Sequence, residues 1–116
     1  MYIDHVNNVK KESLADRGGK GASLQWLLAR KENVPYFYMR YAVVEPGGFI
    51  PLHSHEWIHE MYIVKGSGVL LSENEDTPLE TGSFVYMPSN EAHGMKNTGS
   101  ENLEFVCCIN KPSKDD

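Results

Sequence analysis

Cysteine is scarce in this chain of 116 residues: there are two, Cys107 and Cys108, and they are neighbours. A disulfide between adjacent residues is strained, so the pair is expected as reduced thiols, the pattern of an intracellular protein. Basic charge is also short. Eleven Lys and Arg against sixteen Asp and Glu give a formal net charge of −5, which argues against a nucleic-acid partner, since that needs a basic face. No apolar run approaches the roughly 20 residues that span a bilayer. The opening Met1-Tyr2-Ile3-Asp4-His5-Val6 lacks the basic segment and apolar stretch of a signal peptide. A cytoplasmic protein without membrane contact is therefore expected. Repeats and low-complexity tracts are absent too. The length suits one modest core and not two, so residues 1–116 are read as a single domain with an N-terminal arm over about residues 1–20 and a disordered tail over residues 111–116.

What is present is a regular punctuation. Gly18-Gly19, Asn33 to Pro35, Pro46 to Gly48, Gly66 to Gly68, Asn74 to Pro78, Gly82, Pro88 to Asn90, Gly94 and Asn97 to Gly99 break the chain every eight to twelve residues or so. Between them lie runs rich in aromatic and β-branched residues: Tyr36 to Val44, Met61 to Val64, Val69 to Leu71, Phe84 to Met87 and Leu103 to Ile109. That rhythm predicts an all-β sandwich or barrel. Ala22 to Lys31 has the composition of a helix, but its place one short turn before Tyr36 suits a hairpin strand, and we read it as a strand. With Glu104 facing outward, alternation puts Leu103, Phe105, Cys107 and Ile109 inside and Cys108 outside. Cys107 is then a small buried hydrophobe rather than a nucleophile. Gly18-Gly19-Lys20-Gly21 does not fit a phosphate-binding loop and reads as a flexible loop. Trp57, Phe49, Tyr62 and Tyr86 read as packing residues, and Ser72 to Asp76 as a solvated hairpin turn.

Four of the five histidines form one constellation: His53, His55 and His59, then His93. Neutral imidazole is the commonest ligand for borderline divalent metals. His53 and His55 are two apart, so on a strand they share a face and can reach one ion without bending the backbone. A metal site is the expectation.

The spacing around these residues resembles the two short motifs of the cupin superfamily, a family of small β-barrels. The first motif appears as Gly47, five residues, His53-Ser54-His55, three residues, His59, six residues, Gly66. The second appears as Gly82, five residues, Pro88-Ser89-Asn90, two residues, His93, three residues, Asn97. Two departures stand out. Asn90 replaces a motif glycine, a mild change because Asn tolerates the left-handed conformation. His59 stands where the motif has a glutamate ligand, with Glu60 next to it. Neighbours on a strand face opposite sides, and the spacing to Gly66 favours His59. The chain in this respect resembles the four-histidine monocupins.

The resemblance implies an all-β fold consisting of a single cupin jelly-roll barrel. It implies one divalent transition metal per chain on His53, His55, His59 and His93, with manganese or iron favoured and nickel, copper or zinc possible. Four neutral imidazoles leave the ion its full double charge, a stronger Lewis acid than a site with a carboxylate. An ion preferring six ligands would keep two positions for substrate or dioxygen. The function implied is that of a small-molecule oxidoreductase of the dioxygenase type, with Met61, Ile63, Phe105 and Cys107 shaping a dry pocket. The alternative is a cupin that binds a small ligand through the metal without turnover, as a sensor would. No general base is placed by the sequence, and His5 lies in the N-terminal arm. A homodimer is implied as well, often made by lending an N-terminal strand to the partner's sheet.

Overall fold

A computed structural model describes residues 1–113; the end of the expected tail, residues 114–116, lies outside the described residues. Nine strands form among them: β1 (Glu12–Ser13), β2 (Lys20–Leu28), β3 (Phe37–His53), β4 (His59–Lys65), β5 (Gly68–Ser72), β6 (Thr77–Leu79), β7 (Phe84–Met87), β8 (His93–Lys96) and β9 (Leu103–Asn110). Three single 3-10 turns, Val6–Asn8, Ala15–Arg17 and Arg30–Glu32, complete the regular structure. None of the described helices is long and apolar enough to cross a membrane.

The strands run β6-β5-β8-β3-β9-β4-β7, with β2 pairing to β3 and β1 to β2, all antiparallel. Strand β3 organises this order by changing partners along its length. Phe37 to Val44 pairs with β9, and Phe49 to His53 pairs with β8. The sequence suggested a break at Pro46 to Gly48, but the strand runs through it. Gly47 there takes φ +80°, and a Cβ on Gly48 would lie 2.6 Å from the Lys20 carbonyl oxygen. The glycines let one strand turn a corner against β2 instead of ending there, and the sheet curls into an all-β jelly-roll barrel.

Ala22 to Leu28 lies in β2, paired with β3, so tertiary pairing overrides the helical composition of this segment. Alternation in β9 is as expected: Leu103, Phe105, Cys107 and Ile109 are buried, and Cys108 is half-buried on the other face. The core gathers Val44, Ile63, Leu103, Phe105, Cys107 and Ile109 between the inner faces of β3, β4 and β9. Asn90 has φ +65°, the left-handed conformation that makes it an acceptable stand-in for glycine. Asn97 is 2% exposed. Its side-chain amide donates to the Val44 and Glu101 carbonyls and its oxygen accepts from the Gly99 amide, so it ties the β8–β9 turn to β3.

A candidate metal centre in the barrel

The histidines meet where β3 ends and β4 and β8 begin. His53 closes β3 and faces His93, the first residue of β8, in the antiparallel register. His55 lies two residues beyond the end of β3. Its ring therefore reaches that of His53, with centroids 5.3 Å apart, through a turn and not through strand alternation as expected. His59 opens β4 on its inner face, while Glu60 is exposed on the outer one.

Each ring of the first trio is anchored from behind. His53 Nδ1 donates to the Pro51 carbonyl at 2.8 Å, His55 Nδ1 to the Trp57 carbonyl at 3.2 Å, and His93 Nδ1 to the Glu91 carbonyl at 2.8 Å. A carbonyl only accepts, so the hydrogen sits on Nδ1 and the lone pair on Nε2 in all three rings. The ligating atoms of His53, His55 and His93 all lie within 4.8 Å of one another, and these three could hold a metal ion. His93 Nε2 is buried and has no hydrogen-bond partner among the described residues. A buried lone pair without a partner among the described residues is costly, and a bound cation is a partner it fits.

His59 falls outside that trio yet touches it. Its Nε2 is 2.6 Å from His55 Nε2, and its ring centroid is 4.9 Å from that of His93. On the far side its Nδ1 lies 2.7 Å from Cys107 Sγ and 3.2 Å from an Arg40 guanidinium nitrogen. Burial lowers the ring pKa values of His55, to about 4, and of His59, to about 2, and for His59 the nearby Arg40 charge adds to the effect. Burial lowers His93 as well. These rings are neutral at physiological pH, the form that can ligate. Burial also raises the Cys107 thiol, with Arg40 opposing it, in keeping with a protonated buried cysteine.

The rings look into a cavity of about 300 Å³, at the small end of ligand pockets. Met61, Phe105 and Cys107 line it; Ile63 does not. Ile63 shares their face but sits one pleat farther along β4, wholly buried in the core. Gly19, from the Gly18 to Gly21 stretch read as a flexible loop, is on the cavity wall with Leu14, and Lys20 and Gly21 of that stretch open β2. Trp57, read as a packing residue, also lines the cavity and stacks on His55 with centroids 4.4 Å apart and planes at 16°. Tyr62 and Tyr86 do not pack as expected: they are 53% and 60% exposed on the outer face. The residue the sequence reading missed is Arg40. Its signal was a cation at an inward position of the alternation Tyr38, Arg40, Ala42, Val44.

With fold and site in view, comparison with known proteins is decisive about kinship. Residues 40–109 match the cupin domain. The chain belongs to the cupin family. The oxalate-binding protein of Thermotoga maritima is 35% identical over 96 residues, covering 80% of this chain and 79% of that protein. Among solved structures, the polyketide cyclase RemF from Streptomyces resistomycificus superposes with a TM-score of 0.88 at 25% identity, over 97% of this chain and 80% of its own. A predicted oxalate decarboxylase from Thermotoga maritima gives a TM-score of 0.83 at 28% identity, over 96% of this cupin and 100% of its own chain. The single cupin barrel expected from the two motifs is the fold of this chain.

Proposed function

We propose that this cupin holds one divalent transition metal, manganese or iron before nickel, copper or zinc, on His53, His55, His59 and His93. The remaining coordination positions receive a small substrate, and the activity is oxygen-dependent turnover of the dioxygenase type. The observation that carries the metal reading is the buried, unpartnered Nε2 of His93 beside two other rings whose Nδ1 hydrogens are held by carbonyls. His59 joins as fourth ligand when its Nδ1 hydrogen is donated to Cys107 Sγ, which leaves Nε2 free. When bound, the ion supplies Lewis acidity and, for manganese or iron, redox chemistry toward dioxygen. The chain's own part is to orient and to exclude water. Carbonyls fix the rings, Trp57 covers one face of His55, and Met61 and Phe105 keep the floor apolar. Among the described residues the cavity wall carries no Asp, Glu or Lys, so none of them supplies a general base to compete with chemistry at the ion.

That same lack supports the second reading, a cupin that binds a small ligand without turnover, and the name of the oxalate-binding relative supports it too. Oxygen uptake over a manganese- or iron-loaded sample, tested with catechols, flavonoids, diketones and styrene-like alkenes, separates the two. Uptake above background is expected for at least one class; background uptake throughout rejects the dioxygenase. Elemental analysis of protein purified without a tag or added metal tests the ion itself.

The proposal extends to a cytoplasmic homodimer of single-domain chains. Its support is the outer face of β4 and the terminal strand β7, where Tyr62, Val64, Phe84 and Tyr86 are exposed side by side. Light scattering is expected to give twice the chain mass, and a clean monomer removes the dimer.

A further inference from the structure

The geometry points to a small organic anion as the ligand of this cavity, with Arg40 as the residue that recognises its carboxylate. This rests on the metal reading above, because the anion's other end would chelate the ion.

Arg40 is 6% exposed and lines the cavity. Among the described residues it has no carboxylate partner. One of its terminal nitrogens points to His59 Nδ1 at 3.2 Å and donates to Cys107 Sγ at 3.1 Å, and the guanidinium carbon lies 5.2 Å from the centre of the Trp26 ring. Its Nε is buried with no hydrogen-bond partner among the described residues. An imidazole, a thiol and an indole face are weak compensation for a guanidinium taken out of water, and such a cation is ordinarily matched by an anion. A carboxylate is the group whose plane and paired oxygens fit the guanidinium fork.

The surroundings give the same answer. Among the described residues the cavity wall includes no acidic residue, while Arg17 adds a second cation to it. This is not a by-product of composition, since the chain as a whole carries −5. The protein keeps its negative charge off this wall and places cations there, next to rings suited to hold a divalent ion. A neutral ligand would leave that charge unanswered. A cavity of about 300 Å³ has room for a small organic anion. The competing account makes Arg40 only a prop that orients His59, in which case ligand charge is immaterial.

Calorimetric titration of manganese-loaded protein with oxalate, the smallest dicarboxylate, and with oxamide, its neutral isostere, decides between them. The wild type is compared with Arg40→Met, which keeps the aliphatic stem and loses the charge, and manganese content is measured for both. Arg40→Met is expected to keep its manganese and to lose about 10- to 100-fold in oxalate affinity, while oxamide binding moves by less than about threefold. Equal losses for both ligands, or oxalate affinity within about threefold of wild type, overturn the proposal. Should Arg40→Met fail to fold by circular dichroism, Arg40→Gln takes its place under the same criteria. A wild type that takes up neither manganese nor iron, nickel, copper or zinc defeats the metal reading alone. The anion is then tested on metal-free protein: an oxalate-dependent rise in melting temperature present in wild type and lost in the variant upholds Arg40, and equal rises reject it.

Discussion

Replacing His59 and Glu60 one at a time tests the site most directly, because the two neighbours differ in little except the side of the strand they face. His59 is 5% exposed and Glu60 lies in water. His59→Ala removes the Nε2 that stands 2.6 Å from His55 Nε2 and, in the metal-free protein with the ring hydrogen on Nε2, the Nδ1 acceptor 3.2 Å from Arg40. Disturbing a group that merely orients a ligand costs about 10- to 100-fold in metal affinity, so deleting a ligand should cost at least about 100-fold, or about 2.7 kcal/mol. The metal-free fold suffers separately. A buried guanidinium that loses an acceptor costs about 1.5–3 kcal/mol. At about 4 °C per kcal/mol for a chain of this length, melting should fall by about 6–12 °C. Glu60→Ala, on the surface, should stay within about 0.5 kcal/mol and so within about 2 °C. Competition titration with a chromophoric chelator reads the first quantity and thermal unfolding of chelator-treated protein the second. If Glu60→Ala releases the metal while His59→Ala keeps it, the all-imidazole assignment is wrong and the outer face of β4 has been misjudged.

Gly94→Ala should damage metal binding without touching a ligand: its Cβ would lie 2.6 Å from the Ile50 carbonyl oxygen and 3.0 Å from the Pro51 carbonyl carbon. That pushes β8 away from β3 beside both His93 and His53, with a stability loss of about 1–3 kcal/mol by thermal unfolding. Asn97→Ala should be the reverse case, costing about 1–3 kcal/mol through the Val44 and Glu101 carbonyls it deserts, while metal stoichiometry per folded chain is unchanged by elemental analysis. For pH, His55 and His59 titrate in the fold at about 4 and about 2 against 6.5 when unfolded. The unfolded chain therefore binds more protons below 6.5, so metal-free stability should be complete above about pH 6.5 and fall as pH drops toward 4. Urea unfolding at pH 7.5 and pH 5 checks this, and a midpoint that rises on acidification contradicts it.

How much of this was readable from residue order follows from where each signal sits. Strands with one buried face announce themselves by alternation, so β9 and the inward place of Cys107 were legible. The motif spacings carried the barrel and the trio His53, His55 and His93. Two things were not legible because they are properties of the curl. Pro46 to Gly48 looks like a terminator in one dimension and is a bend in three, since a glycine pair that ends one strand is also what lets another pass close to β2. Trp57 has the composition of a core residue, and only the turn after β3 swings it onto His55.

Arg40 shows why the cavity's chemistry was harder to foresee than its ligands. Metal ligands betray themselves through local spacing, two or four residues apart within one segment. A lone cation in a hydrophobic strand has no such local partner. Its meaning comes from β3 being paired with β9 at the register Arg40 to Cys107, and from β9 in turn being paired with β4 at Cys107 to Met61. Those two pairings, set by contacts far apart in sequence, bring a guanidinium to the back of His59. The strand that turns the barrel's corner thus supplies His53 to the candidate metal centre from its end and Arg40 to the same cavity from its middle. A change that shifts the register of β3 by one residue would remove both from the interior together, and loss of metal and loss of anion selectivity should then appear as one event.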